Sequence, residues 1–166
     1  MDVLILVCRL DGHELAGEVG AELALNVSRS GIDVAVQGDG GAVTLNPRSV
    51  RLSQTSVNDA AEIIDSMRAN GWAGDPIDAV RMPDGGLTTV DNTRVVAAGH
   101  AGIDVQVNSH EFDEEITDPM RIFTLTTKRG VPSTWGDGVS LRIGNQAGAY
   151  RRAYPMGSPW TGWSGN

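Results

Sequence analysis

Residues 91–94, Asp-Asn-Thr-Arg, gather a carboxylate, an amide, a hydroxyl and a guanidinium in four consecutive positions. They stand where an extended stretch, Leu87 to Val90, gives way to the compact apolar run Val95-Val96-Ala97-Ala98. A strand that breaks at such a polar corner and opens a helix leaves the first helical amides without intrahelical partners. The helix dipole favours negative charge at the same place. Asp91 has the chemistry of an N-cap, and Arg94 can fork two N–H donors onto a phosphate. The chemistry to expect is recognition of an anion, in the first instance a phosphate-bearing substrate.

A second set lies on a downstream helix. Thr134 with Asp137 three residues later forms a capping box, and Trp135, Val139, Arg142 and Gln146 follow at spacings that put them on one face. Trp135 and Val139 read as packing. Arg142 and Gln146 on the same stripe do not, because a buried guanidinium needs a partner. The expectation is a helix that lids the pocket and aims Arg142 at the substrate. Gln54 and Thr55 follow an extended segment and can orient a water or a phosphate oxygen, although turn residues also bond their own backbone.

Other reactive types are less pointed. Cys8 is the single cysteine, so no internal disulfide forms, and its apolar surroundings read as a buried inert thiol. His13, His100 and His110 are scattered with no second ligand at metal spacing. The acidic run Glu111, Asp113, Glu114, Glu115 and Asp118 reads as a solvated loop that can add a Mg2+ ligand; a divalent metal is compatible with the site but required by no motif. Trp160 and Trp163 can stack on bases, although such residues more often pack back onto their own domain or a partner.

These groups sit in a chain of 166 residues with 40% hydrophobic and 20% charged residues, ordinary for one globular domain. Its 21 glycines predict many turns. The net charge of −8 argues against bulk, non-specific nucleic-acid binding, which relies on basic surface. It leaves room for an enzyme with a local basic pocket and for a partner protein met by charge steering. The apolar run Met1 to Cys8 is too short for a membrane span and lacks the basic leader and cleavage site of a Sec signal. Export would need another route or a larger parent chain.

The elements that must hold the corner follow from periodicity. Residues 1–45 read as a β-rich segment: a buried strand ending at Cys8, then a hairpin with alternating apolar residues on both sides of Arg29-Ser30-Gly31, broken at Gly38-Asp39-Gly40-Gly41. A second unit, 46–150, has a strand from Val50, a helix with Ala60, Ile63, Ile64 and Met67 on one face ending at Gly71, and a strand from Ile77 to Met82. A Pro83-Asp84-Gly85-Gly86 turn and a return strand to Val90 follow, then a helix from about Asn92 to Ala101 stopped by Gly102. Ile103, Val105 and Val107 alternate as a strand, Pro119 opens a helix running to about Lys128, and the capping box opens the last helix, to about Gln146. The Pro, Gly, Ser and Trp mixture of 151–166 shows no periodicity and reads as an irregular tail.

The order of these pieces resembles the ParB/sulfiredoxin-like fold. The resemblance rests on Ser66-Met67-Arg68-Ala69-Asn70-Gly71, Pro76-Ile77, Asp84-Gly85 and the Val90 to Arg94 corner. Gln54-Thr55 ahead, and Thr134-Trp135-Gly136-Asp137 with Arg142 and Gln146 behind, resemble the ParB-like toxin modules at the C-termini of bacterial polymorphic toxins of the Rhs and contact-dependent inhibition type. The fold class this implies is α+β, a small mixed sheet with flanking helices.

The departures matter as much. The Gly-Glu-Arg-Arg corner and following helix-turn-helix of partitioning proteins are missing, which argues against chromosome partitioning. Sulfiredoxin's corner cysteine is missing too, which argues against sulfinic-acid repair. The resemblance implies an antibacterial effector delivered into the target-cell cytoplasm by a larger parent toxin and neutralised by a cognate immunity protein. Its implied catalytic residues are Asp91, Gln54 and Arg94, with Thr55, Asn92, Thr93, Arg142, Gln146 and Trp135 toward the substrate. The expected activity is nuclease cleavage of nucleic acid; the alternatives are a nucleotide hydrolase and a non-catalytic ligand- or partner-binding module.

Overall fold

The computed structural model describes residues 41–58 and 60–159, and the backbone of 8–10 and 13–15. Strand β1 (Cys8–Leu10) pairs antiparallel with β2 (His13–Leu15), Arg9 facing Glu14 across the pair. The expected hairpin around Arg29-Ser30-Gly31, the strand ahead of Cys8, the side-chain environment of Cys8, and Trp160 and Trp163 all lie outside the described residues.

The main sheet has five strands: β3 (Val43–Leu45), β4 (Val50–Leu52), β5 (Ile77–Arg81), β6 (Leu87–Thr89) and β7 (Val105–Glu111), in the order β3-β7-β5-β6-β4. It is mixed. The β3/β7 and β5/β6 pairs are antiparallel, while β5/β7 and β4/β6 are parallel. Five helices flank it: α1 (Ala60–Asn70), α2 (Asn92–Ala101), α3 (Pro119–Leu125), α4 (Trp135–Gly144) and α5 (Gly148–Ala153).

The strand period of two explains how one central strand serves two cores. Ile77 and Ala79 of β5 enter the core formed with α1 and α2, where Ile64, Met67, Val95 and Val96 pack. Val80 and the following Met82 enter the opposite core, with Leu125, Trp135, Val139, Ile143 and Tyr150 from α3, α4 and α5. Both faces of β5 are therefore buried, with Asp78 the charged residue carried inside among its apolar neighbours.

Local chemistry sets the element ends. Gly71 and Gly102 take the left-handed conformation, with φ of 73° and 76°, and close α1 and α2. Asp84 in the β5–β6 turn receives both outer nitrogens of Arg51 from β4, at 2.6 Å each. That two-pronged bond holds the Asp84 carboxyl down at a pKa of about 2. Thr134 and Asp137 form the capping box of α4.

Three boundaries differ from the sequence reading. Val43–Leu45 is an edge strand of the main sheet, so the sheet begins ahead of residue 46. Helix α3 stops at Leu125, because Thr127 and Gly130 exchange backbone hydrogen bonds in a tight turn. Helix α5 was not expected: six residues are too few to show a period, and it has no side-chain cap. The segment after it forms no helix or strand, but it is tied down. Ser158 and Leu52 exchange both backbone hydrogen bonds, at 2.7 and 2.9 Å, and Met156 accepts from Thr88 Oγ1 at 2.6 Å. Non-local pairing of this kind leaves no periodic signal in sequence.

Candidate functional site

The polar corner is an N-cap. Asp91 Oδ1 accepts from the Arg94 backbone N–H at 3.3 Å, and its Oδ2 accepts from Arg94 Nε at 2.6 Å. Arg94 also donates to the Asp75 carbonyl at 2.6 Å, and its guanidinium carbon lies 5.4 Å from the centre of the Trp72 ring. An ion pair, a carbonyl and an aromatic face thus hold one guanidinium in one direction.

Asn92 borders the same corner but is tied down. It is 2% exposed, and its amide oxygen accepts from Ser53 N at 2.7 Å. Its amide nitrogen donates to Ser53 Oγ at 3.0 Å and to Gln54 Oε1 at 3.1 Å. The side chain is a buried clamp between α2 and the end of β4 at the cavity's edge, and it fixes the orientation of Gln54.

Gln54, Asp91, Asn92, Thr93, Arg94 and Arg142 line one cavity of about 360 Å³. Arg142 reaches it from α4 and donates to the Val90 carbonyl at 2.8 Å, at the end of the β6 return. Burial pushes the pKa of this guanidinium down, and the nearby Asp91 charge opposes that push. The group stays cationic, because arginine begins so far above neutrality.

Three residues expected at the substrate do not line the cavity. Gln146 Oε1 accepts from Thr55 N and Oγ1 at 3.3 and 3.2 Å, and Gln146 Nε2 donates to the Arg142 carbonyl at 3.3 Å. The pair laces the loop after β4 to the end of α4, and so supports the cavity wall from behind. Trp135 is 6% exposed and stacks on His110, with ring centres 3.8 Å apart.

The cavity also takes in side chains that the sequence reading passed over: Asp78 from β5, and Arg121, Thr124 and Leu125 from α3. Asp78 is 5% exposed. Its Oδ1 meets His110 Nε2 at 3.1 Å, and His110 Nδ1 meets Glu114 Oε1 at 2.7 Å. Arg121 stands 2.9 Å from Asp78 Oδ2, close as a charge but off the hydrogen-bonding direction, so that oxygen accepts no hydrogen bond. Burial pushes the His110 pKa down, but the bonds to Asp78 and Glu114 outweigh it and the net value lies above 6.5. One signal was present in the sequence. Asp78 shares the strand face of Val80, and His110 lies on the face opposite Val105 and Val107; which side each face takes was set by the sheet.

Three members of the acidic run are engaged locally. Glu111 pairs with Arg81 at 3.5 Å, Glu114 takes His110, and Asp118 caps α3 at the Met120 amide, 2.9 Å away. Among the described residues, no group of three or more His, Cys, Asp and Glu side chains is arranged to hold a metal ion. No described helix is long and apolar enough to cross a membrane. His100 lies in the last turn of α2, where its carbonyl accepts from Arg68.

Comparison with family models, curated proteins and solved structures returned no significant match. Three guanidinium groups and two carboxylates border one polar cavity at a helix N-terminus, beside an amide whose direction is set. Such a wall can hold a tetrahedral anion through several charge-assisted bonds and orient a water against it.

Proposed function

We propose that this chain is a toxin effector domain of ParB/sulfiredoxin-like fold that acts on a phosphate-containing substrate, cleaving a phosphoester in nucleic acid. One observation carries the reading: Arg94, Arg121 and Arg142 meet at a single cavity in a chain whose net charge is −8. A concentration of cations against the overall charge is what selective phosphate recognition requires. Arg94 and Arg142 hold the phosphate, while Asp91 and Gln54 position the attacking water. Asn92 keeps Gln54 in place.

A second reading, hydrolysis of a free nucleotide, is favoured by the same charge and by the cavity of about 360 Å³, a size that takes one small ligand. Under either reading the effector acts inside a target cell after delivery by a larger parent toxin. A cognate immunity protein would most economically cover the Gln54/Asp91/Arg94 wall.

The test is cytosolic expression scored for growth arrest, with nucleic acids and nucleotide pools examined in the same cells, and purified protein incubated with Mg2+ and either nucleic acid or ATP. Nuclease action predicts degraded polymer and substrate binding that falls steeply with salt. Nucleotide hydrolysis predicts depleted pools and turnover little changed by salt. If neither substrate is consumed and Arg94→Ala leaves toxicity unchanged, the domain is a non-catalytic binding module.

A further inference from the structure

We infer that Arg121 is a third phosphate-binding guanidinium of this cavity, and that the Asp78–His110–Glu114 chain positions it and couples anion binding to protonation of His110. The inference rests on the phosphate reading of the cavity, which counts Arg121 only as a cation at its wall, and extends it to the Asp78–His110–Glu114 chain behind that arginine.

The geometry begins at His110. Its ring nitrogens face two carboxylates, Asp78 at 3.1 Å and Glu114 at 2.7 Å. A neutral imidazole has one N–H and can satisfy only one of them; the imidazolium has two and satisfies both. Strand β5 presents Asp78, the turn after β7 presents Glu114, and α4 presents the uncharged face of Trp135, stacked at 3.8 Å. Helix α3 contributes Arg121 through Asp78, and Glu111, next to His110 in β7, is paired with Arg81.

Asp78 is the pivot. At 5% exposure it cannot turn to water for compensation, and its Oδ2 accepts no hydrogen bond. Arg121 is 43% exposed, lines the cavity, and has its charge contact at that same Oδ2. When His110 is an imidazolium, Asp78 has a full charge partner behind it, and Arg121 can turn toward an anion at little cost. When His110 is neutral, Asp78 depends on Arg121, and drawing that arginine away leaves a buried carboxylate poorly compensated. The imidazolium also adds a positive charge beside the cavity. Both effects strengthen anion binding as pH falls through the raised pKa of His110.

Inorganic sulfate is a suitable probe, because its own charge does not change over the range used. Its affinity is measured by calorimetric or NMR titration from pH 6 to about pH 9.5, for the wild type, R121Q, R121K, H110Q and R142Q. The wild type is expected to bind at least about fivefold more tightly at the acid end, the lower edge of usual site-to-site coupling. R121Q should weaken binding and flatten the pH profile, R121K should restore part of both, and H110Q should flatten the profile. At the acid end the His110 imidazolium compensates Asp78 in R121Q, and R121K keeps a cation beside Asp78 at every pH, so the test stands even if H110Q does not fold. Wild-type affinity in R121Q, or an unchanged profile in a folded H110Q, overturns the inference while weakening by R142Q keeps the cavity reading. Failure of the wild type to bind sulfate at any pH overturns both.

Discussion

Replacing Asn92 with alanine should destabilise the protein by about 2–4 kcal/mol, although Asn92 belongs to the corner from which anion chemistry is read. The side chain is 2% exposed, and its oxygen is the acceptor for the buried Ser53 amide at 2.7 Å. Truncation leaves that donor without a partner in a site closed to water, which costs about 1–3 kcal/mol. The bonds to Ser53 Oγ and Gln54 Oε1 are lost as well, at about 0.5–1.5 kcal/mol each, less what Ser53 and Gln54 recover by rearranging. A better helix former at the first helical position returns a few tenths of a kcal/mol. With a urea m-value of about 2 kcal/mol/M, the midpoint should fall by about 1–2 M. Tryptophan fluorescence reads the transition, because Trp135 is buried in the α3/α4 core and Trp72 packs against the other. The anion affinity of the folded variant should fall too, since Gln54 loses the donor that aims it. A loss under about 1 kcal/mol with unchanged anion binding would refute the clamp and return Asn92 to the substrate.

Two further outcomes follow from the same geometry. Asp91→Ala removes the N-cap of α2 and the anchor of Arg94, and should cost about 0.5–2 kcal/mol in thermal denaturation; no loss of stability would mean that the cap is not used. His110 has its pKa raised above 6.5 in the folded chain, so its stabilisation is fully present below the unfolded value and is lost as pH rises through the folded one. Urea midpoints should therefore decline from about pH 6.5 upward in the wild type but not in His110→Gln, and parallel profiles would show that the imidazolium contributes nothing.

Much of the frame is legible in the chain because its signals are local. Asp91 caps α2 and Gly102 ends it, Thr134 and Asp137 close the capping box of α4, and Asp84-Gly85 turns the β5–β6 hairpin. Each depends on residues a few positions apart. The corner was legible as a helix N-terminus for the same reason, and Gln54, Arg94 and Arg142 do border one cavity with it. Within the corner, only tertiary packing decided which side chain at the cavity is locked by buried hydrogen bonds. Asn92 looks as available as Thr93 in sequence, but the end of β4 closes over it.

Asp78, His110, Glu114 and Arg121 are the clearest case of what the sequence could not place. They come from β5, β7, a turn and α3, and nothing in their spacing joins them. The parallel register of β5 and β7, which sets Asp78 opposite Asn108 and Val80 opposite His110, puts the carboxylate and the imidazole on one face of the sheet. Helix α3 then carries Arg121 to the same place. Caps, turns and strand faces are short-range properties that the amino-acid sequence determined by itself. The pairing of distant strands, and with it the charge network behind the cavity, was decided only when the sheet closed and buried those groups together.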